Sequence, residues 1–189
     1  MSAIASPERL PAAGKWQVDP ECSVLGFRVR HLLIESVKGR FLDFDGAIWP
    51  DETPYVVGSI QAASLDTNHR ERDAHLRSPD FFDVERYPEI LFSSKRVELV
   101  PDGSLMVAGD LTIKQITRPL ELKGTLRGAV IGLDGRERIA CELRGELNPL
   151  EYQLSRIRGL ETGGTPVGNI VELSLHVLVV RVVPLEWAA

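Results

Sequence analysis

Residues 120–128 read Leu-Glu-Leu-Lys-Gly-Thr-Leu-Arg-Gly, with leucine or glycine at every even position and a charged or polar residue at every odd one. Alternation with a period of two marks a strand with one wet face and one dry face. A looser version sets Leu105, Val107, Gly109, Leu111 and Ile113 against Ser104, Met106, Ala108, Asp110 and Thr112. Another sets Ile139, Cys141, Leu143, Gly145 and Leu147 against Arg138, Ala140, Glu142, Arg144 and Glu146. The phase recurs at the front of the chain, where Leu25, Phe27, Val29 and His31 share a side opposite Arg28 and Arg30. It recurs near the end, where Val171, Leu173, Leu175, Val177 and Val179 face in and Glu172, Ser174 and His176 face out. In three of these runs glycine falls on the dry side. A dry face with glycine where leucine would fit is under-filled, which predicts a barrel with room inside for an apolar guest.

Strand signals follow one another from Trp16 onward, separated by Gly, Pro and Asp, near 15–19, 23–33, 37–49, 55–64, 89–100, 104–114, 117–131, 137–148 and 168–183. Pro101-Asp102-Gly103 and Leu133-Asp134-Gly135 each predict a hairpin, since Asp-Gly supplies the positive φ of such turns. Short connections between consecutive strands make an antiparallel meander. About eight such strands close into a barrel and remove the exposed edges. The fold class expected is therefore all-β, a lipocalin-like extended antiparallel β-barrel. One segment interrupts it: residues 69–83 are dense in charge, lack the period of two, and predict a short helix and turn capped by Asp66, Thr67 or Asn68. Residues 1–14 read as a flexible leader, residues 149–165 as a second irregular stretch, and residues 15–189 as one domain.

The totals exclude several classes. A formal net charge of −5 lacks the basic face that nucleic acid requires. No run of about 18 uncharged apolar residues is present to span a bilayer as a helix. Residues 1–14 carry one Lys or Arg and no long apolar run, so no secretory signal is visible and a cytoplasmic location is expected. Cys22 and Cys141 are too few for a disulfide framework and too far apart for a metal motif, and Cys141 falls on the dry face, where a small thiol is at home.

The charged insert offers one candidate for chemistry. His69, Asp73 and His75 are residue types that ligate zinc or iron, but only His69 and Asp73 share a helical face. The alternative is that Asp73 pairs with a nearby arginine and fixes the helix over one barrel end. His31, on the dry side of its strand, would meet a ligand head group or a buried carbonyl. His176 is expected on the surface. There is no nucleophile elbow, phosphate loop or dinucleotide fingerprint, and nothing in the chain points to an enzyme.

Several blocks together resemble a known family. They are Trp16-Gln17-Val18-Asp19-Pro20, Val24-Leu25-Gly26-Phe27, Arg30-His31-Leu32, Val37-Lys38-Gly39-Arg40-Phe41, Ser64-Leu65-Asp66-Thr67 and Arg72-Asp73-Ala74-His75-Leu76-Arg77-Ser78. Asp80-Phe81-Phe82-Asp83, Tyr87-Pro88, Gly109-Asp110-Leu111-Thr112-Ile113 and Thr117-Arg118-Pro119 complete the set. Over roughly residues 15–183 the chain resembles the YceI family of polyisoprenoid-binding proteins, the block from Arg72 to Phe92 being the most specific. The resemblance implies a lipocalin-like barrel whose long cavity holds a polyprenyl chain or isoprenoid quinone, a homodimer, and no catalytic residues. Many relatives are periplasmic, unlike the location expected here. Cys22 stands where relatives usually carry histidine, and Asn148-Pro149-Leu150-Glu151-Tyr152-Gln153 replaces their usual loop. The function expected is non-enzymatic binding, transport or storage of an isoprenoid lipid, with no cofactor beyond that ligand. Phe27, Val29, His31, Phe41, Leu111, Ile113, Leu122, Leu126, Leu143, Leu173 and Leu175 are the residues expected to line its site. A metal-dependent hydrolase using His69, Asp73 and His75, and a stress-associated scaffold with no bound lipid, are the alternatives.

Overall fold

The computed structural model describes residues 11–31, 35–154 and 170–183, the side chains of 30, 31 and 35 excepted. Eleven strands form one antiparallel sheet: β1 (Trp16–Val18), β2 (Val24–His31), β3 (Glu35–Phe41), β4 (Phe44–Trp49), β5 (Tyr55–Gln61), β6 (Leu65–Asp66), β7 (Glu89–Leu99), β8 (Ser104–Ile113), β9 (Ile116–Ile131), β10 (Glu137–Leu147) and β11 (Val171–Arg181). Their order is β1-β4-β5-β7-β8-β9-β10-β11-β2-β3-β6, and a further β1–β11 pairing closes the ring.

Register reduces eleven strands to eight staves. β1 and β2 both run antiparallel to β11, at Val179–Arg181 and Val171–His176, so they are two halves of one strand. β3 pairs with β2 and β4 with β1; β6 pairs with β3 and β5 with β4. Each pair is one stave interrupted by a short break: a 3-10 turn at Pro20–Cys22, the dipeptide Leu42-Asp43, and a 3-10 turn at Ala62–Ser64. The barrel is the closed meander that the alternation implies, except that the strand expected over 37–49 is broken in the middle.

Serine hydroxyls stand in for ladder bonds where a stave breaks or bulges. Ser23 Oγ accepts from the Leu178 N–H at 2.9 Å and donates to the Leu178 carbonyl at 3.4 Å. Ser64 Oγ accepts from the Leu42 N–H at 3.2 Å. At the β-bulge between Ser94 and Arg96, Ser94 Oγ accepts from the Val56 N–H at 2.8 Å. A buried backbone group without a partner costs about 1–3 kcal/mol, so a short hydroxyl is well suited to these points.

Both Asp-Gly turns adopt the predicted hairpins, with Gly103 and Gly135 at φ +88° and +75°. The dry-face glycines do not leave gaps, contrary to the sequence expectation. A β-carbon on Gly124 would collide with the Glu142 carbonyl, one on Gly109 with Ser93, and one on Gly145 with Leu122 and Glu121. They are points where strands or side chains approach closely. The leader expected over 1–14 is tied down at its end: Trp16 Nε1 donates to the Ala12 carbonyl at 2.9 Å, and the Gly14 N–H to Asp51 Oδ1 at 3.1 Å. Residues 1–10 lie outside the described residues.

One helix, α1 (Arg70–Arg77), follows β6. Its N-cap is His69, whose Nδ1 accepts from the Arg72 N–H at 3.2 Å, not Asp66, Thr67 or Asn68. Thr67 is unavailable because it is bound to Asp73, and Asp66 Oδ1 accepts from the Asn68 N–H.

Candidate functional site

The barrel encloses a cavity of about 1020 Å³. Its wall is built from the inward positions of every stave. On β8 these are Leu105, Val107, Leu111 and Ile113; on β11, Val171, Leu173, Leu175, Val177 and Val179. Polar lining is confined to six positions, Asp45, Asp51, Ser59, Arg72, His75 and Glu98, among some fifty residues that are otherwise aliphatic, aromatic, proline, glycine or cysteine. The cavity extends from Val29, Leu147 and α1 at one end to Pro50, Asp51, Pro54 and Leu99 at the other.

The α1 end is a cap built by the charged insert. Asp73 is buried, and its Oδ1 accepts from the Thr67 N–H at 3.0 Å and Thr67 Oγ1 at 2.5 Å. Arg72 Nε and Nη2 donate to Thr67 Oγ1 and its carbonyl at 2.7 and 2.8 Å. Arg77 donates to the carbonyls of Ala63 and Leu65, and Lys114 Nζ to that of Phe81 at 2.8 Å. The expected Asp73–arginine pair is thus replaced: Asp73 and Arg72 both hold Thr67 and meet through it. Below this staple, an aromatic chain joins cap to wall. Phe27 and Phe41 centroids are 5.7 Å apart, Phe41 and Phe82 6.3 Å, and Phe82 and Phe81 5.2 Å, within the usual range for favourable ring pairs.

The metal candidates do not converge. The His69 Nδ1 lone pair is spent on the helix N-terminus, the Asp73 carboxylate on Thr67, and His75 is exposed at the cap. Among the described residues no group of three or more His, Cys, Asp or Glu is placed to hold a metal ion. Two weakly acidic groups are buried. Burial pushes the Cys141 thiol up to about 12, so the cavity meets a neutral, unreactive sulfur. Burial likewise raises Tyr152 to about 12, with Glu151 adding to the shift and Arg118 opposing it. His176 is exposed on the outer face of β11.

Ten of the eleven residues singled out in the sequence line this cavity: Phe27, Val29, Phe41, Leu111, Ile113, Leu122, Leu126, Leu143, Leu173 and Leu175. The eleventh, His31, pairs with Glu35 at the end of β2, and its side chain lies outside the described residues. The sequence reading missed the wall contributed by Trp16, Val18, Phe44, Ile48, Val56 and Ile60. Their period of two is present, but β1, β4 and β5 are too short for it to stand out. Phe81 and Phe82, adjacent and both lining the cavity, carry no periodic signal at all.

The geometry has counterparts among known proteins. Protein YceI of Escherichia coli is 34% identical over 180 residues, which cover 93% of this chain and 87% of that one. The UPF0312 protein plu2095 of Photorhabdus laumondii is 39% identical over 147 residues, 76% of either chain. The solved structure of a polyisoprenoid binding domain from Saccharophagus degradans superposes with a TM-score of 0.68 at 15% identity, covering 88% of this chain and 98% of that one, and so shares the fold. Residues 16–179 match the YceI-like domain from the first strand nearly to the end of the last, and the chain belongs to that family.

Proposed function

We propose that the protein binds an elongated apolar isoprenoid lipid, a polyprenyl chain or isoprenoid quinone, inside the barrel and performs no catalysis on it. One observation carries this reading: a cavity of about 1020 Å³ runs the length of the barrel with an almost wholly apolar wall. Strands of 11 residues, at about 3.3 Å per residue and a tilt of 35–45°, make a tube roughly 25–30 Å tall. That is about the thickness of a bilayer's hydrocarbon core. A compact ligand leaves such a tube part empty; a chain fills it. The solved structure named for polyisoprenoid binding shares the fold and adds support.

Burying several hundred Å² of such a chain yields on the order of 10 kcal/mol gross at about 25 cal/mol per Å². Ordering the tail and losing translational freedom take back a large part. Micromolar or tighter affinity follows without any directional polar contact, and chain length and the ends of the tube set the specificity. The test is an organic-solvent extract of freshly purified protein, analysed by mass spectrometry. A prenyl lipid near one per chain is expected; an empty protein that also fails to take up a prenyl quinone from detergent contradicts the reading and leaves a scaffold.

A further inference from the structure

The polar side chains on the cavity wall offer hydrogen-bond donors at one end only. Of the six polar positions, Asp45, Ser59 and Glu98 alternate with inward Phe44, Ile60 and Leu99, so their side chains point out of the barrel. Asp45 also accepts from Gln17 Nε2 at 2.6 Å, and Glu98 is paired with Arg96. Asp51, at the end away from α1, is an acceptor and already holds the Gly14 N–H. Arg72 and His75 remain. They lie three apart on α1 and, with Leu76, form the face that the helix turns to the cavity.

Arg72 is half spent. Its Nε and Nη2 donate to Thr67 Oγ1 and to the Thr67 carbonyl, which fixes the guanidinium. Among the described residues neither its Nη1 nor the His75 imidazole has a hydrogen-bond partner. Asp73 is bonded to the same Thr67, so a carboxylate stands behind the guanidinium and offsets its charge. What reaches the cavity is a pair of directional donors more than a cationic patch, and this suits an uncharged oxygen better than a phosphate. Phe82, whose N–H donates to the Leu76 carbonyl, brings its own ring and that of Phe81 to the same end of the cavity. Aromatic walls below polar tips match a flat ring that carries carbonyl or hydroxyl oxygens.

We infer that a lipid in this barrel lies with its head under α1, an uncharged oxygen accepting from Arg72 Nη1 and His75, and its chain running toward Pro50 and Leu99. This orientation rests on the lipid binding proposed above. The test is competitive uptake by the full chain, from detergent, of a prenyl quinone, a prenyl monophosphate and a prenyl hydrocarbon of matched length, each quantified by mass spectrometry. The quinone is expected to outcompete the hydrocarbon about tenfold, as one hydrogen bond to a charged donor allows, and to match or exceed the phosphate. Arg72→Met leaves both Asp73–Thr67 bonds in place and is expected to bring the quinone down to the hydrocarbon's level, with hydrocarbon uptake unchanged. His75→Leu, outside those bonds, is expected to cut the preference part way, and it decides the matter if Arg72→Met loses all three lipids. Variants that both lose the three lipids equally mark a structural role and overturn the orientation. Wild-type uptake that ignores the head group, a preference for the phosphate, or variants that keep the wild-type preference also overturn it. Uptake of none of the three by the wild type overturns the binding function itself.

Discussion

The tip of the Phe27 ring occupies the space that a β-carbon on Gly39, its cross-strand partner, would take. The glycine is what lets this ring lie against the sheet in line with Phe41 and Phe82. Gly39→Ala is therefore expected to drive Phe27 off its seat, at a cost of about 1–3 kcal/mol typical of overpacking. Urea denaturation measures it, and a Gly39→Ala, Phe27→Leu double variant should recover part of the loss. A single variant as stable as wild type contradicts the packing described.

Asp73→Ala removes the acceptor of both Thr67 bonds and leaves the Arg72 guanidinium facing a hydroxyl with no carboxylate behind it. Hydrogen bonds to a charged group contribute about 1.5–3 kcal/mol each. A loss of about 3 kcal/mol is expected, seen as a lower urea midpoint. Hydrogen exchange should quicken first in residues 66–84, before the strands. Asp73→Asn, which keeps an acceptor, is expected to fall between.

Ser23→Ala removes the hydroxyl that serves both the N–H and carbonyl of Leu178, where the first and last staves meet. The expected destabilisation is about 1–3 kcal/mol, with faster amide exchange at Leu178. An unchanged Leu178 rate would show that the ladder closes without the serine.

The alkaline limb of stability has a source in Cys141. Its thiol ionises at the ordinary value of 9.0 when unfolded and at about 12 when buried. Between these values the unfolded state holds fewer protons than the folded one, so stability is fully present below pH 9 and falls as pH rises above it. The slope from this one group approaches about 1.4 kcal/mol per pH unit. Cys141→Ala should flatten the decline between pH 9 and 11 relative to wild type. Exposed Cys22 should react with a thiol reagent at neutral pH while Cys141 waits for unfolding.

Leu143 and Leu175 are cross-strand partners that both face the cavity. Replacing both with tryptophan partly blocks the tube at that level. The extract of the variant is expected to contain a shorter prenyl chain, or none, with wild-type secondary structure by circular dichroism. The same lipid in the same amount would place the ligand elsewhere.

The long staves were legible because each repeats its signal many times. On β8, Leu105, Val107, Gly109, Leu111 and Ile113 are all buried, in the phase that the sequence shows. The same holds for Val179 on β11 and for Ile139 and Cys141 on β10. Local turn chemistry at Gly103 and Gly135 was equally readable. What escaped depends on partners far along the chain. Nothing near Gly39 shows that Phe27 covers it, and nothing near Asp73 shows that Thr67 outcompetes an arginine for its carboxylate. The break at Leu42-Asp43 is bridged by Ser64, some twenty residues away, and His69 and Asp73 of the metal-like trio are engaged by hydrogen bonds that spacing does not encode.

Every neighbouring pair of staves is also adjacent in sequence, except where β11 meets β1 and β2. The seam thus joins the earliest residues to the latest, Ser23 to Leu178, and the tube does not exist until the final stave is laid. With every stave but β11 in place, the sheet is an open trough with its oily side bare. Assembly and exposure to a greasy passenger, or to aggregation, compete during that interval, and slow long-range closure lengthens it.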